Sequence, residues 1–369
     1  MSEETTPSAW PIFRGNRAPH DGIANRPEPP PWRRYEGAVT HEETLDARAA
    51  SQPERSQKRG RTFYFRPNDP IIQRINTALF LRRPLLVTGK PGTGKSSLAH
   101  AVAYELKLGQ VLEWPITSRS TLAEALYRYD AIGRLQESQM AVDKEAGDKQ
   151  PDEKTDDENG RDEKDAPADS NRKREIDIGR YIRLGPLGTA LLPGKYPRVL
   201  LIDEIDKSDI DLPNDLLHVF EEGGYEIPEL TRLQEQTAPV YVRLHESKRT
   251  APVERGRVQC SEFPFVVMTS NGERELPPAF LRRCIRVEIP DPSVDDLMAI
   301  IANHFADLDG NTRATMEGLA EDFAQRIRSG DLLATDQLLN ATFLIGQGIA
   351  WNQEMAATVL RPLNQFRSE

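Results

Sequence analysis

Cysteine is almost missing from this sequence, which contains only Cys260 and Cys284 in 369 residues. Two thiols outside any CxxC pair exclude a disulfide framework and favour a reducing compartment. The six histidines are scattered, and no two of them stand at the spacing of metal ligands. We therefore expect no disulfide and no histidine metal site.

Long apolar runs and a basic excess are also missing. No apolar stretch approaches the roughly 18 residues needed to cross a membrane, and the N-terminus lacks the basic start and apolar run of a signal peptide. The net charge of -10 favours a soluble protein and weighs against a surface that coats nucleic acid, which needs a basic face. We expect a cytoplasmic protein with no membrane contact and no nucleic-acid partner.

The two segments richest in polar residues and proline are predicted to lie outside the folded core. Residues 1–61 are predicted to be a proline-rich N-terminal arm, largely irregular, because proline lacks an amide donor and fixes φ. The apolar residues of this arm leave a docked arm and a free tail open as alternatives; they include Trp10, Ile12, Phe13 and Trp32. Acidic residues dominate 138–175 with almost no large apolar residue, which predicts a disordered acidic insert.

Short apolar runs alternate with helical patterns over residues 62–290. The predicted strands are Leu85–Val87, Val111–Trp114, Val199–Ile202, Phe265–Met268 and Ile285–Ile289. This alternation predicts an α/β domain whose parallel sheet has helices on both faces. Val240–Leu244 and Arg257–Cys260 are predicted to pair as a β-hairpin. Four helical stretches, near 293–306, 313–329, 335–348 and 352–361, predict a small all-α lid subdomain over 291–369.

A glycine-rich loop follows the first predicted strand and precedes a predicted helix. It reads Gly89-Lys90-Pro91-Gly92-Thr93-Gly94-Lys95-Ser96 and matches G-x-x-x-x-G-K-[ST]. Such a loop turns its amides toward phosphate oxygens, and the helix N-terminus adds partial positive charge. Lys95 is predicted to contact the β- and γ-phosphates, and the hydroxyl of Ser96 to bind Mg²⁺. With Ser97, which follows, these residues form the predicted nucleotide-binding set.

Two carboxylates follow the apolar strand Val199–Ile202. Parallel sheets place ligands at the carboxyl ends of their strands. Asp203 is predicted to hold Mg²⁺ directly or through water. Glu204 is predicted to act as general base toward the attacking water.

Two further polar sites complete the predicted chemistry. Asn271 follows the strand Phe265–Met268, and its amide can orient the water, unless it only ends the strand in a turn. Arg282 and Arg283 form a pair that can neutralise γ-phosphate charge when a neighbouring subunit supplies it; ordinary surface salt bridges are the alternative.

Taken together, these motifs resemble the AAA+ ATPases, and within them the MoxR-like group, over roughly residues 62–365. The glycine loop resembles Walker A, Asp203-Glu204 resembles Walker B, and Asn271 falls at the sensor-1 position. The stretch from Leu276 resembles the one that ends in the arginine finger, where Arg283 aligns best. Gly185-Pro186-Leu187 also resembles a short motif of that group.

One position departs from the resemblance. Many relatives carry a sensor-2 arginine near Asp336, and an acid there cannot bind the γ-phosphate. Another base, such as Arg282, is then a candidate substitute. Thr335 or Asp336 is predicted to be the N-cap of the helix that begins here.

The resemblance implies an enzyme that hydrolyses ATP with Mg²⁺ as a homo-oligomer, a hexameric ring, and remodels or activates a client protein. It implies a separate partner chain with a von Willebrand factor A domain. ATP rather than GTP is likewise implied by the resemblance. One alternative is a nucleotide-dependent switch or scaffold of a bacterial conflict or defence system with little hydrolysis. The other is an AAA+ motor acting on nucleic acid.

Overall fold

The computed structural model describes residues 10–39, 43–66, 69–137, 139, 178–232, 238–245, 248–305 and 310–362. They belong to two compact units. The first unit consists of Met1–Ser120, Ala190–Gly223 and Gln259–Glu369, and the second of Thr121–Thr189 and Gly224–Val258. The predicted acidic insert at 138–175 lies outside the described residues except for Gln139.

The chain alternates helices and strands through most of its described length. The helices are α1 (Leu45–Ser51), α2 (Glu54–Thr62), α3 (Pro70–Leu81), α4 (Ser97–Glu105), α5 (Leu122–Leu126), α6 (Pro186–Ala190), α7 (Leu212–Glu222), α8 (Pro228–Thr231), α9 (Pro278–Leu281), α10 (Val294–His304), α11 (Gly310–Arg328), α12 (Thr335–Gly346) and α13 (Gln353–Val359). Residues 131–137 are also helical. The strands are β1 (Leu85–Thr88), β2 (Val111–Pro115), β3 (Tyr127–Tyr129), β4 (Ile182–Leu184), β5 (Val199–Asp203), β6 (Gly224–Glu226), β7 (Val240–Arg243), β8 (Thr250–Val253), β9 (Arg257–Gln259), β10 (Phe265–Ser270) and β11 (Ile285–Glu288).

A five-stranded parallel sheet forms the centre of the first unit, in the order β11-β1-β10-β5-β2. β5 and β10 are apolar runs buried almost throughout, as strands covered on both faces must be. Leu85 of β1 pairs with Val267 of β10 on one side and with Ile285 of β11 on the other. The predicted α/β fold with a parallel sheet and surrounding helices is confirmed.

Two hydrophobic clusters lie in the first unit, one on each side of the boundary predicted near residue 290. The larger cluster packs strands of the sheet against α3 and α4 and includes Phe13 from the N-terminal arm. The smaller cluster joins the four C-terminal helices α10 to α13 and contains Leu297, Met316, Phe323, Leu338 and Leu360. The four predicted helical stretches after residue 290 are therefore all present.

The N-terminal arm is docked on the first unit. Phe13 is fully buried, and its backbone N–H donates to Asn76 Oδ1 at 2.9 Å while Asn76 Nδ2 donates back to the Phe13 carbonyl at 2.8 Å. The regular elements of residues 10–39 are short 3-10 turns. α1 and α2 are regular helices within the same predicted segment, since its prolines lie before α1 or, as Pro53, at the N-cap of α2.

A buried carboxylate holds this arm. Glu105, at the end of α4, is 1% exposed. It accepts the backbone N–H groups of Arg14, Gly15 and Arg17 at 2.6, 3.1 and 3.0 Å. Each charge-assisted bond satisfies an amide of a segment that has no strand or helix partner, so this one side chain organises the arm.

The second unit contains two small sheets. One has the order β3-β4-β7-β8, and the other pairs β6 with β9. The predicted hairpin of Val240–Leu244 with Arg257–Cys260 is wrong, because β7 pairs antiparallel with the nearer strand β8, Val240 opposite Val253. A short connection closes this pair at lower entropic cost than the longer one. No helix in the described part of the chain is long and apolar enough to span a membrane.

We expect Glu105→Ala to release the arm. Three amides lose a buried charged acceptor, so the free energy of unfolding should fall by about 3 kcal/mol. Denaturant unfolding measures this loss, and limited trypsin digestion should show faster cleavage after Arg14 and Arg17.

Asp46→Ala is the matched control, because Asp46 is a highly exposed carboxylate whose ion pair, within the described part of the chain, is with Lys107. Its removal should change neither unfolding nor cleavage of the arm. Equal effects of the two substitutions would show that Glu105 does not anchor the arm.

Candidate active site

The glycine-rich loop connects β1 to α4 and encloses the side chain of Lys95. Lys95 Nζ donates to the carbonyls of Gly89 and Lys90, each at 2.8 Å. Burial lowers the pKa of Lys95, and the carboxylates of Asp206, Asp203 and Glu204 oppose this shift. The ammonium group is thus held inside the loop, facing three acids.

A cavity of about 490 Å³ opens beside this loop. Of the predicted nucleotide-binding residues, Pro91 to Ser97 line the cavity. The carbonyls of the other two, Gly89 and Lys90, accept hydrogen bonds from Lys95. The segment before α3 contributes Arg59, Thr62, Phe63, Tyr64 and Arg66. The C-terminal helices contribute Asp296, Ile300, His304, Thr335, Asp336 and Leu339. A cavity of this size with mixed apolar and polar walls suits a small organic ligand such as a nucleotide.

The start of α12 touches the glycine-rich loop directly. The backbone N–H of Thr335 donates to the Gly92 carbonyl at 3.2 Å. Gly92 has φ 76°, and a Cβ there would lie 2.3 Å from the Cβ of Ala334. The predicted N-cap, Thr335 or Asp336, is wrong: Ala334 is the N-cap, and its N–H donates to Gln337 Oε1 at 2.9 Å. The helix therefore begins at Thr335, earlier than predicted, and Gln337 supplies the acceptor for the N–H of its N-cap.

One carboxylate oxygen joins the ends of three segments. Asp203 Oδ1 accepts the hydroxyl of Ser96 at 2.7 Å and the hydroxyl of Thr269 at 2.6 Å. Thr269 Oγ1 also accepts the backbone N–H of Glu204 at 2.8 Å. Thr269 is not among the predicted site residues, although a hydroxyl near the end of a buried apolar strand was a signal for it.

The predicted magnesium ligands fit the ion. Mg²⁺ prefers oxygen ligands and keeps several waters, and the hydroxyl of Ser96 and the carboxylate of Asp203 lie side by side on the cavity wall. Thr269 donates a hydrogen bond to the same carboxylate. These two residues would hold Mg²⁺ at the phosphate end of a nucleotide.

Glu204 and Asn271 are brought together at the sheet edge. Asn271 Nδ2 donates to Glu204 Oε1 at 3.2 Å. Lys207 Nζ donates to the other oxygen, Oε2, at 2.7 Å, and this bond raises the pKa of Lys207. Glu204 has φ 60° and ψ 52°, a left-handed conformation that is strained for a residue with a Cβ and that turns the chain sharply after β5. The sequence analysis did not identify Lys207.

Arg282 and Arg283 lie outside the cavity of their own chain. Arg283 pairs with Glu221 on α7 and donates to the Ala279 carbonyl at 3.2 Å, and neither arginine lines the cavity. Arg282 therefore does not replace the absent lid arginine within its own chain, because it follows α9 on an exposed surface. Among the described residues, the Lys and Arg side chains on the cavity wall are Arg59, Arg66 and Lys95.

Comparison with known proteins gives one family. The family model described as AAA domain (dynein-related subfamily) matches residues 84–284, more than half of the chain. The match runs from the residue before β1 to the residue after Arg283 and so contains every predicted site residue. No curated protein matches the sequence.

We expect Gly92→Ala to weaken nucleotide binding. The new methyl group must displace Ala334 and with it the start of α12, in addition to straining a left-handed backbone by about 1–2 kcal/mol. Nucleotide affinity, measured by titration calorimetry, should fall about tenfold or more.

Gly348→Ala is the matched control. Gly348 has the same φ of 76°, with nothing within 4 Å of its Cβ position. It should carry the same backbone strain and bind nucleotide normally. If both variants bind normally, the contact with Ala334 does not shape the site.

We expect Thr269→Val to uncouple Asp203 from Glu204. The partly buried N–H of Glu204 loses its acceptor and Asp203 Oδ1 loses one of its two hydroxyl donors, which costs about 1–3 kcal/mol of stability and should lower the turnover of bound nucleotide. Thr269→Ser keeps the hydroxyl and should retain most stability and turnover. A serine variant as damaged as the valine variant would assign the effect to packing of the methyl group.

Proposed function

This chain belongs to the AAA domain family (dynein-related subfamily), whose members are generally ATPases, and we propose that it binds and hydrolyses ATP with Mg²⁺. The observation that carries the proposal is the junction at the sheet edge. Asp203, bound to Ser96 and Thr269, lies beside the Glu204–Asn271 pair on the wall of one cavity.

The chain's own residues divide the work of hydrolysis. The loop amides and Lys95 bind the β- and γ-phosphates, for which Lys95 exchanges its present carbonyl partners for phosphate oxygens. Mg²⁺, held by Ser96 and Asp203, would supply charge neutralisation at the phosphate oxygens. Asn271 orients the water through its amide, next to the carboxylate of Glu204.

Glu204 accepts a proton from this water. The water oxygen bonds to the γ-phosphorus, and the bond from that phosphorus to the β,γ-bridging oxygen breaks. The electron pair leaves with ADP, and the products are ADP and inorganic phosphate. ATP is proposed over GTP on the sequence resemblance. The apolar and aromatic wall of Phe63, Tyr64, Ile71 and Ile300 offers the base a surface for packing.

Arg283 is proposed to act on the nucleotide of a neighbouring subunit. It is absent from the wall of its own cavity, and Glu221 holds its guanidinium on a partly exposed surface. An arginine placed in this way serves a site only across an interface, so the active form is proposed to be a homo-oligomeric ring. Six subunits, membership of the MoxR-like group, a client protein that is remodelled or activated, and a partner with a von Willebrand factor A domain are proposed on the sequence resemblance.

A nucleotide-controlled switch with little hydrolysis is the second candidate. The Lys207–Glu204 bond favours it, because one carboxylate oxygen of the proposed general base is already occupied by an ammonium group. Asp336 at the start of α12 also lines the cavity where an arginine would contact phosphate.

Mixing two variants tests the shared active site. Glu204→Gln and Arg283→Ala should each hydrolyse ATP slowly, since each lacks one half of every site. In an equal mixture, a site that combines Glu204 of one subunit with Arg283 of the next should form in about one quarter of positions, and ATPase activity should recover to that extent.

Mixing Glu204→Gln with Arg282→Ala in the same way identifies which arginine acts. Only the variant that lacks the acting arginine should be slow alone and regain activity in the mixture. Absence of recovery with either arginine would exclude an arginine acting between subunits. Wild-type protein that binds ATP but turns over no faster than Glu204→Gln would favour the switch.

A further inference from the structure

Asp206 is a buried acid that the chemistry above does not use. It lies in the 3-10 turn Ile205–Lys207 that follows β5, and it is 3% exposed. Its Oδ2 accepts the backbone N–H groups of Asn271 and Glu273, both at 3.0 Å. Its Oδ1 is buried and has no hydrogen-bond partner among the described residues. Asp206 does not line the cavity, so it does not touch the nucleotide.

This carboxylate is costly to bury. A desolvated acid with one unpartnered oxygen destabilises the folded state unless its other interactions offset the cost. Among the described residues, both hydrogen bonds that it accepts come from the loop that follows β10, while its charge also acts on Lys95. The hydrogen bonds that offset part of the cost of burial therefore fix the geometry of that loop.

Two acids of one turn hold Asn271 at both ends. Asp206 accepts its backbone N–H at 3.0 Å, and Glu204 accepts its side-chain amide at 3.2 Å. The next amides are also held by side chains, Gly272 by Ser270 Oγ at 3.0 Å and Glu273 by Asp206. With its backbone fixed in this way, the amide of Asn271 can meet Glu204 in only a narrow range of positions.

We propose that Asp206 is a positioning residue for hydrolysis, which sets Asn271 against Glu204 through the backbone of the loop after β10. This inference rests on the proposed ATPase function. The alternative is that Asp206 contributes to the stability of the fold without positioning Asn271. The test must therefore separate an effect on positioning from an effect on stability.

A double-mutant cycle makes that separation. Asp206→Ala should lower kcat about tenfold or more, while the Kd for ATP stays within about threefold, because the residue does not touch the nucleotide. If it acts through Asn271, then Asp206→Ala combined with Asn271→Ala should be no slower than Asn271→Ala alone. Multiplicative losses, or a weakened Kd with unchanged kcat, would overturn the proposal.

Asp206→Asn guards against a folding defect. It keeps the size of the side chain and one oxygen that can accept both amides, so kcat should stay within about threefold of wild type. Asp209→Ala, which removes an exposed carboxylate from the same connection, should leave kcat unchanged. A folded Asp206→Asn variant as slow as Asn271→Ala would show that the backbone bonds are not what Asp206 contributes.

Amide hydrogen exchange tests the positioning without turnover. The amides of Asn271 and Glu273 should exchange faster in Asp206→Ala than in wild type or Asp209→Ala. If wild-type protein fails to hydrolyse ATP, the proposed function fails. Faster exchange in Asp206→Ala would still establish that Asp206 fixes the backbone of this loop. Unchanged exchange at the amides of Asn271 and Glu273 would refute the positioning role of Asp206, whether or not the wild-type protein hydrolyses ATP.

Discussion

A single carboxylate oxygen sets the geometry on which the site depends. Asp203 Oδ1 receives one hydroxyl from the glycine-rich loop and one from β10, so the ends of three neighbouring segments converge on one atom. The parallel sheet makes this convergence possible, since the carboxyl ends of β1, β5 and β10 lie at the same edge. Strands buried on both faces cannot shift register without exposing apolar residues, and the position of Asp203 is correspondingly rigid.

The cavity is closed by segments that are distant in the sequence. The residues before α3 meet the C-terminal helices through Arg66, which forms a two-pronged ion pair with Asp296 on α10. The same Asp296 caps its own helix by accepting the N–H of Ser293 at 2.7 Å. One acid thus ties the C-terminal helices to the N-terminal segment and stabilises the start of the helix that carries it. Movement of α10 away from the N-terminal segment would have to break the ion pair with Arg66.

The parts of the site that could be predicted are those marked by a local pattern. Apolar runs ending in polar residues located Asp203, Glu204 and Asn271, and the glycine spacing located Lys95 and Ser96. Thr269 carried only the mark of a hydroxyl near the end of a buried strand. Asp206 carries no such mark, because its role arises from contacts with the separate loop after β10. The docked arm was open for the same reason, since its anchor Glu105 lies about ninety residues away. The hairpin was assigned to the wrong partner because β8 and β9 are both short strands within reach of β7.

The anchor of the arm also has an evolutionary consequence. A carboxylate at position 105 is tolerable in the interior only while three amides of the arm surround it. A lineage that lost the arm would inherit a desolvated charge, and selection would replace it with an apolar side chain. A lineage that kept the arm could vary the side chain of Arg14, because its contact with Glu105 uses only its backbone. Gly15 could not vary in this way, because it has φ 68° and its Cβ position lies 2.8 Å from Ile72. The arm and an acidic residue at position 105 should therefore be inherited together, even where other residues of the arm are substituted.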